Sequence, residues 1–483
     1  MFDVREYNGK GIQICLETTV ANLFKPLHLE DRKNIKIIGP ALMVDVDRYC
    51  KEQELFEYGL YSICFVKKCR GGKCMNIEDY LSMIPKVEYI STFDPKPSTG
   101  WDGVKALWYE GVPYKGKLTK VFAYIGYPKI KQGAKVPAVV LVHGGGGHAF
   151  AHWVKIWNER GYAAISMDVD GYIPNSEWKG LVGTEGQGYD KYTQELYGEL
   201  ADENYVLGPG NDKMLTSDLP QEEQWIYRAV VDTILAHNIL IRDEYIDSNQ
   251  IGITGVSWGG VITSISIGYD TRYAFAIPIY GSAYLEYAAT KTCKAFKQQQ
   301  VRDMWGAANR LKNANVPILW LCGLYDDDFC SYSNSLSYAD TKENGSVLSI
   351  QESLLHSHID GWEREESYRF ADSVLEEKSG FVEVLREPMG FDEIYVSIRV
   401  PVDIENLTAR VVYFTEDFQF NEKSQIVNRA KTVPAILEQD LVRASIPREA
   451  YSYYIEFVGY ANRKEIISTT AWVTHKGINK ISQ

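Results

Sequence analysis

The sequence has no run of about 18 apolar residues, so no transmembrane helix is expected from it. It has no excess of basic residues. Lys plus Arg number 51 against 64 Asp plus Glu, a formal net charge of −13, which excludes a nucleic-acid-binding role that depends on a positive face. Cysteine is sparse: eight residues spread over 483 do not make a disulfide framework. Its start, Met1-Phe-Asp-Val-Arg-Glu-Tyr7, lacks the basic and then apolar regions of a secretory signal, and a cytoplasmic protein with free thiols is expected. Zinc-type cysteine pairing is missing too. Cys64, Cys69 and Cys74 are each five apart around Arg70-Gly-Gly-Lys73, which reads as a hairpin tip, and no metal is expected there. What remains is ordinary: 45% hydrophobic and 24% charged residues in a chain long enough for two to four domains.

The middle of the chain alternates strand-like and helix-like segments. Val136-Pro-Ala-Val-Val-Leu-Val142 is apolar throughout, as a strand covered on both faces would be. Helical spacing follows over Phe150–Arg160, then a strand at Tyr162–Met167 and, after a long polar stretch, a helix at Glu222–Ile241. Gln250–Thr254 predicts a strand, Trp258–Ile267 a helix, and Phe275–Ile279, Val316–Cys322 and Val347–Leu355 further strands before a helix from about Trp362 to Glu377. This rhythm predicts an α/β fold, a parallel sheet with helices on both faces.

The flanks differ. Ile394, Val396, Ile398 and Val400 alternate with Tyr395, Ser397 and Arg399, and Leu407–Phe414, Leu441–Ile446, Tyr451–Tyr460 and Ile466–Val473 also read as strands. A C-terminal β-sandwich, immunoglobulin-like, is expected over 380–483. Its role is read as a structural buttress or a contact between copies in a homo-oligomer, ahead of carbohydrate binding. A small β-rich N-terminal region is expected over 1–95, with strands near Asn34–Val46 and Tyr58–Val66, and the α/β domain over 96–379.

Gly255-Val-Ser257-Trp-Gly259 has the G-x-S-x-G pattern of a nucleophile elbow. A pattern this short arises by chance about once in several chains of this length. The context gives it weight: a strand before, a small-residue helix after, and a turn tight enough to hold Ser257 in a strained conformation. His143-Gly-Gly-Gly-Gly147 follows the apolar strand and is suited to an oxyanion hole, with donors in the Gly144 and Gly145 region and at the backbone N–H of Trp258. His143, His148 and His152 can also be weighed as metal ligands, but the loop already has a sufficient explanation.

In this fold the triad runs Ser, acid, His. Of eight histidines only His356, His358 and His475 follow Ser257, and the first two lie just after a predicted strand. Gly323-Leu-Tyr-Asp326-Asp-Asp-Phe329 ends the strand before that, which makes Asp326 the expected acid and Asp327 the alternative.

From about Thr119 to Lys378 the chain resembles the α/β-hydrolase superfamily, specifically acetyl xylan esterase-like proteins related to cephalosporin C deacetylases. More distant relatives are prolyl oligopeptidase-type and dienelactone hydrolase-type enzymes. The resemblance rests on His143–Trp153, Arg160–Asp168, Ile251–Gly260, Ile277–Gly281 and Gly323–Asp326. It implies Ser257 as nucleophile, Asp326 as acid and a base at His356 or His358. His358 is preferred because it aligns better with the family's Gly-His pattern, leaving His356 to orient the loop. The implied activity is serine ester hydrolysis, removing acetyl groups from a saccharide such as a xylo-oligosaccharide. It needs no cofactor. Competing readings are a prolyl oligopeptidase-like peptidase, for which the ~100 N-terminal residues are too few to build a β-propeller, and an inactive hydrolase fold used for binding. The polar segment from Gly171 to Gln221 is expected to shape the pocket.

Overall fold

The computed structural model describes residues 76–95, 100–115, 117–171, 214–287, 294–419, 421 and 425–474 in full, and the backbone alone at 2–7, 11–16, 36–38, 41–44, 173–174, 189–190, 205–206 and 291–293. The chain divides into two units, Met1–Cys74 and Met75–Gln483. In the first, β1 (Phe2–Tyr7), β2 (Gly11–Leu16), β3 (Lys36–Ile38) and β4 (Ala41–Val44) make an antiparallel sheet ordered β1-β2-β4-β3. The strand expected at Tyr58–Val66 and the three cysteines at 64, 69 and 74 lie outside the described residues.

The second unit is built on one large sheet. Its strands are β5 (Val87–Tyr89), β6 (Lys105–Glu110), β7 (Leu118–Gly126), β8 (Val136–Val142), β9 (Ala163–Met167), β13 (Ile246–Val256), β14 (Ala276–Ile279), β15 (Leu319–Gly323) and β16 (Val347–Gln351). Between them in sequence, β10 (Ile173–Pro174) pairs with β11 (Tyr189–Asp190), and β12 (Tyr205–Val206) joins β7. The order is β16-β15-β14-β13-β8-β9-β7-β6-β5. From β9 to β16 all neighbours are parallel, whereas β7 runs against β9 and β6, and β6 against β5. The fold is therefore a mixed sheet, parallel where the alternation predicted it, with an antiparallel edge.

Residues 76–95 pack with the larger unit. The edge strand β5 pairs with β6, and Ile77 and Tyr80 lie in the sheet's hydrophobic core, so this stretch belongs with the larger unit.

Helices cover the sheet: α1 (Ala151–Glu159), α2 (Trp225–Arg242), α3 (Trp258–Ser266), the shorter α4 (Gln299–Trp305) and α5 (Ala308–Leu311), α6 (Ser331–Thr341), α7 (His358–Trp362) and α8 (Glu365–Leu375). Five consecutive residues of β8, Ala138–Val142, are wholly buried, which is why its sequence shows no alternation. Among the described residues no helix is long and apolar enough to cross a membrane.

The C-terminal region is a pair of packed antiparallel sheets. One holds β17 (Glu383–Val384), β18 (Glu393–Arg399), β21 (Ile436–Glu438) and β22 (Leu441–Ser445). The other holds β19 (Glu405–Phe414), β20 (Lys431–Pro434), β23 (Ser452–Ala461), β24 (Lys464–Thr469) and β25 (Val473–Thr474). The period of two gives the second sheet two buried faces. Val411, Tyr413, Tyr453 and Ile455 fill the core of the sandwich, while Val412, Phe414 and Tyr454 join the core of the large sheet.

Candidate active site

The ends of three parallel strands bring the site together. Ser257 follows β13 and precedes α3, with φ 58° and ψ −121°, a backbone conformation costly to any residue with a side chain. Its amide holds Ile279 O at 2.9 Å, so the turn is fastened to β14. The elbow also needs Gly259: a Cβ there would sit 2.1 Å from Val142 O, inside the strand that α3 crosses.

Asp326 lies in the turn after β15. Its Oδ1 accepts from the amides of Asp328 at 2.9 Å and Phe329 at 2.8 Å, an Asx-type turn that fixes the carboxylate. Its Oδ2 accepts from His356 Nδ1 at 2.7 Å. On the far side of the ring, His356 Nε2 accepts from Ser257 Oγ at 2.9 Å. These partners define the neutral tautomer with its proton on Nδ1. The ring lies between Tyr280, with centroids 4.6 Å apart, and Phe329, at 5.8 Å, both nearly parallel to it. The Tyr280 hydroxyl donates to Ser357 O, which holds the loop that carries His356.

The preference for His358 is therefore corrected: His356 is the histidine that bridges Ser257 and Asp326. The reason is local. Ser357 caps α7, its Oγ accepting from Asp360 N at 3.1 Å, so the chain turns into a helix between the two histidines. His356 stays on the loop. His358 starts the helix, is 4% exposed, and packs against Phe150. Its Nε2 accepts the Gly144 N–H at 3.0 Å. Burial lowers its pKa to about 3, so the ring is neutral.

That contact also corrects the expected donor at Gly144, whose N–H is taken by His358. The neighbouring Gly145 is exposed, and among the described residues neither its N–H nor that of Trp258, the first residue of α3, donates to another group of the protein. His143 anchors the same loop: Nδ1 donates to Gly144 O at 2.7 Å and Nε2 accepts from Val169 N at 2.9 Å, with burial lowering its pKa to about 4. Asp327, the alternative acid, accepts instead from Ile426 N in the C-terminal region at 2.7 Å. Tyr280 and Phe329 are the neighbours sequence reasoning missed. Both lie inside segments singled out for other reasons, Ile277–Gly281 and Gly323–Phe329. Among the described residues no cluster of three or more His, Cys, Asp or Glu side chains is arranged to hold a metal ion. Most of the polar segment expected to shape the pocket, including 175–188 and 191–204, lies outside the described residues, as does His475.

A serine, a histidine and an aspartate hydrogen-bonded in series after β13, β16 and β15 of such a sheet match the arrangement of an α/β-hydrolase. Comparison with known families agrees. Residues 102–289 match the acetyl xylan esterase (AXE1) family, and residues 221–371 match the prolyl oligopeptidase family. The fold is that of an α/β-hydrolase, and over residues 102–289 the chain is similar to acetyl xylan esterases. No curated protein matches it. Similar solved structures include acetyl xylan esterase 1 from a Thermoanaerobacterium species, 14% identical over 63% of this chain and 94% of that one, with a TM-score of 0.43. Another is an acetyl xylan esterase from a Paenibacillus species, 16% identical over 62% and 90%, with a TM-score of 0.41. A third is the acylaminoacyl peptidase of Pyrococcus horikoshii, 18% identical over 57% of this chain and 48% of that one, with a TM-score of 0.38.

Proposed function

We propose that the protein is a serine carboxylic ester hydrolase that removes acetyl groups from a saccharide, with Ser257 as nucleophile, His356 as base and Asp326 as the acid that orients it. The observation that carries this reading is the unbroken line Ser257 Oγ–His356–Asp326 at 2.9 and 2.7 Å. In the first step His356 Nε2 takes the Ser257 proton as Oγ bonds to the ester carbonyl carbon. The carbonyl π electrons move to oxygen, giving an oxyanion that the N–H groups of Gly145 and Trp258 stabilise. The carbonyl re-forms, the alcohol leaves with the proton from His356, and an acyl-serine remains. Water then repeats the sequence and releases the acid. Asp326 holds the imidazole in its tautomer and balances the imidazolium. The saccharide ester is supported by the family match over 102–289, which spans the glycine loop and Ser257. A cytoplasmic location belongs to the same proposal.

Peptide hydrolysis is the second reading, favoured by the prolyl oligopeptidase match over 221–371, which covers Ser257, Asp326 and His356. One experiment separates them. Wild type and Ser257→Ala are assayed on p-nitrophenyl esters from acetyl to octanoyl, on acetylated xylo-oligosaccharides, and on aminoacyl and peptidyl p-nitroanilides. Acetyl release from the oligosaccharides, lost in Ser257→Ala, is the expected result. Anilide cleavage with no acetyl release would favour the peptidase. Full ester hydrolysis by Ser257→Ala would overturn the assignment.

A further inference from the structure

The two peptides that meet at the Gly144 Cα are each gripped. The carbonyl of the Gly144–Gly145 peptide, Gly144 O, accepts from His143 Nδ1 at 2.7 Å and from Gly147 N at 3.0 Å. The preceding amide, Gly144 N–H, donates to His358 Nε2 at 3.0 Å. A trans peptide points its C=O and N–H in opposite directions. Fixing Gly144 O toward His143 therefore fixes the Gly145 N–H on the other side, where the chain is exposed. Gly144 itself is against the nucleophile: a Cβ on it would lie 3.0 Å from Ser257 Cβ and 2.8 Å from Val256 O. The ring of His358 has its place only because residue 147 is glycine, since a Cβ there would lie 2.6 Å from His358 Nε2.

Resting on the esterase reading of this site, we propose that His358 is a positioning residue which, opposite His143, holds the glycine loop so that Gly145 N–H rather than Gly144 N–H meets the oxyanion. His358 is not a second base. Its Nε2 is already an acceptor for a backbone amide, and the buried ring has no role in moving the serine proton. It acts on the transition state through the backbone. Without it, the buried Gly144 N–H loses its acceptor, the His143–Gly144 peptide loses its hold, and the angle that this peptide sets for the next one, which carries the Gly145 N–H, is fixed from one side only. A donor aimed at a charge that develops only during reaction affects the chemical step more than substrate binding.

The test is a set of variants read by kcat and KM on p-nitrophenyl acetate, with folding followed by circular dichroism and Tm. Glutamine can place an acceptor near the position of imidazole Nε2, whereas asparagine is a bond too short to reach Gly144. His358→Asn and His358→Ala are expected to lower kcat roughly 100-fold, the scale of an ångström of misplacement, with KM within about 3-fold. His358→Gln is expected to recover at least tenfold of that loss. Such a split in kcat, with rescue by Gln and not Asn while KM stays level and the two variants have similar Tm, is not what loss of packing would give. Should His358→Ala fail to fold, the Gln and Asn pair carries the test alone. Wild-type kcat in folded His358→Asn, or equal kcat in the Gln and Asn variants, would overturn the clamp. Ser257→Ala runs beside them. If it retains hydrolysis, the esterase reading itself falls, whereas its loss beside an unaffected His358→Asn overturns only the role of His358.

Discussion

Ser257 is held at φ 58° and ψ −121° by neighbours on every side: its amide bonded to Ile279 O, the helix starting at Trp258, and the close crossing of Gly259 over β8. Such a conformation costs of order 1–3 kcal/mol for a residue with a Cβ and little for glycine. Strain of this kind raises the Ser257 Oγ out of the turn and toward His356. Ser257→Gly and Ser257→Ala both remove the hydroxyl, so they should be equally inactive yet differ in stability. Glycine loses more chain entropy on folding, about 0.4–1 kcal/mol, but escapes the strain. We expect Ser257→Gly to be more stable than Ser257→Ala by about 1 kcal/mol in urea unfolding. Equal stabilities would mean that the turn carries no such strain.

At the scale of elements, what was legible in the sequence was what is local. The apolar run of β8 and the Gly255–Gly259 pattern each declare a strand and a turn without reference to the rest of the chain. The strands Lys431–Pro434 and Ile436–Glu438 did not declare themselves, because they are mostly exposed and carry no apolar alternation, with Pro434 among them. The choice between His356 and His358 was illegible for another reason. It depends on Ser357 capping a five-residue helix, and nothing in a two-residue spacing shows which ring turns inward. The same limit hid the partner of the acid turn. Asp327 Oδ1 accepts from Ile426 N at 2.7 Å, Ala430 N donates to Tyr325 Oη at 3.1 Å, and Arg429 lies over the Tyr325 ring at 4.3 Å. The C-terminal region thus grips the residues on either side of Asp326 in a contact nearly a hundred residues away in sequence. Asp327→Ala should loosen that grip without touching the reacting atoms. We expect kcat on p-nitrophenyl acetate to fall by roughly 3- to 10-fold, less than the 100-fold of direct misplacement, with Asp327→Asn close to wild type because its amide oxygen still accepts. Unchanged kcat in Asp327→Ala would show that the Asx turn alone holds the acid.

Across the whole molecule, the glycine loop, the sheet and the sandwich share one dependence on pH. His143, His148 and His358 are all buried and all hold pKa values below the ordinary histidine value, His143 at about 4 and His358 at about 3, because burial disfavours the cation. The unfolded chain takes up these protons near pH 6.5 and the folded chain does not. Stability is therefore complete above about pH 7 and is lost as the pH falls from 6.5 toward the folded values. Asp232 works in the opposite direction. Burial raises its carboxyl to about 6, so between about 4 and 6 the folded form binds the extra proton and gains on acidification. Burial shifts Glu286, Asp327, Glu366 and Asp372 in the same direction as Asp232, and His152 and His237 in the same direction as the three histidines. With five histidines titrating between pH 7 and pH 5 in the unfolded chain, net destabilisation by acid is expected. For a single histidine shifted as far as His358, the loss between pH 7 and pH 5 is about 2 kcal/mol. The packing of Val412, Phe414, Tyr454 and Trp472 into the core of the large sheet makes the sandwich and the large sheet continuous, so acid should unfold them in one transition. Urea unfolding at the two pH values tests both points. Wild type should be less stable at pH 5 than at pH 7, and His358→Gln, which lacks one of the titrating rings, should lose about 2 kcal/mol less over the same interval. Equal losses in the two proteins would mean that the His358 ring takes up a proton in the folded state, and Gly144 N–H would then have no acceptor there at pH 5.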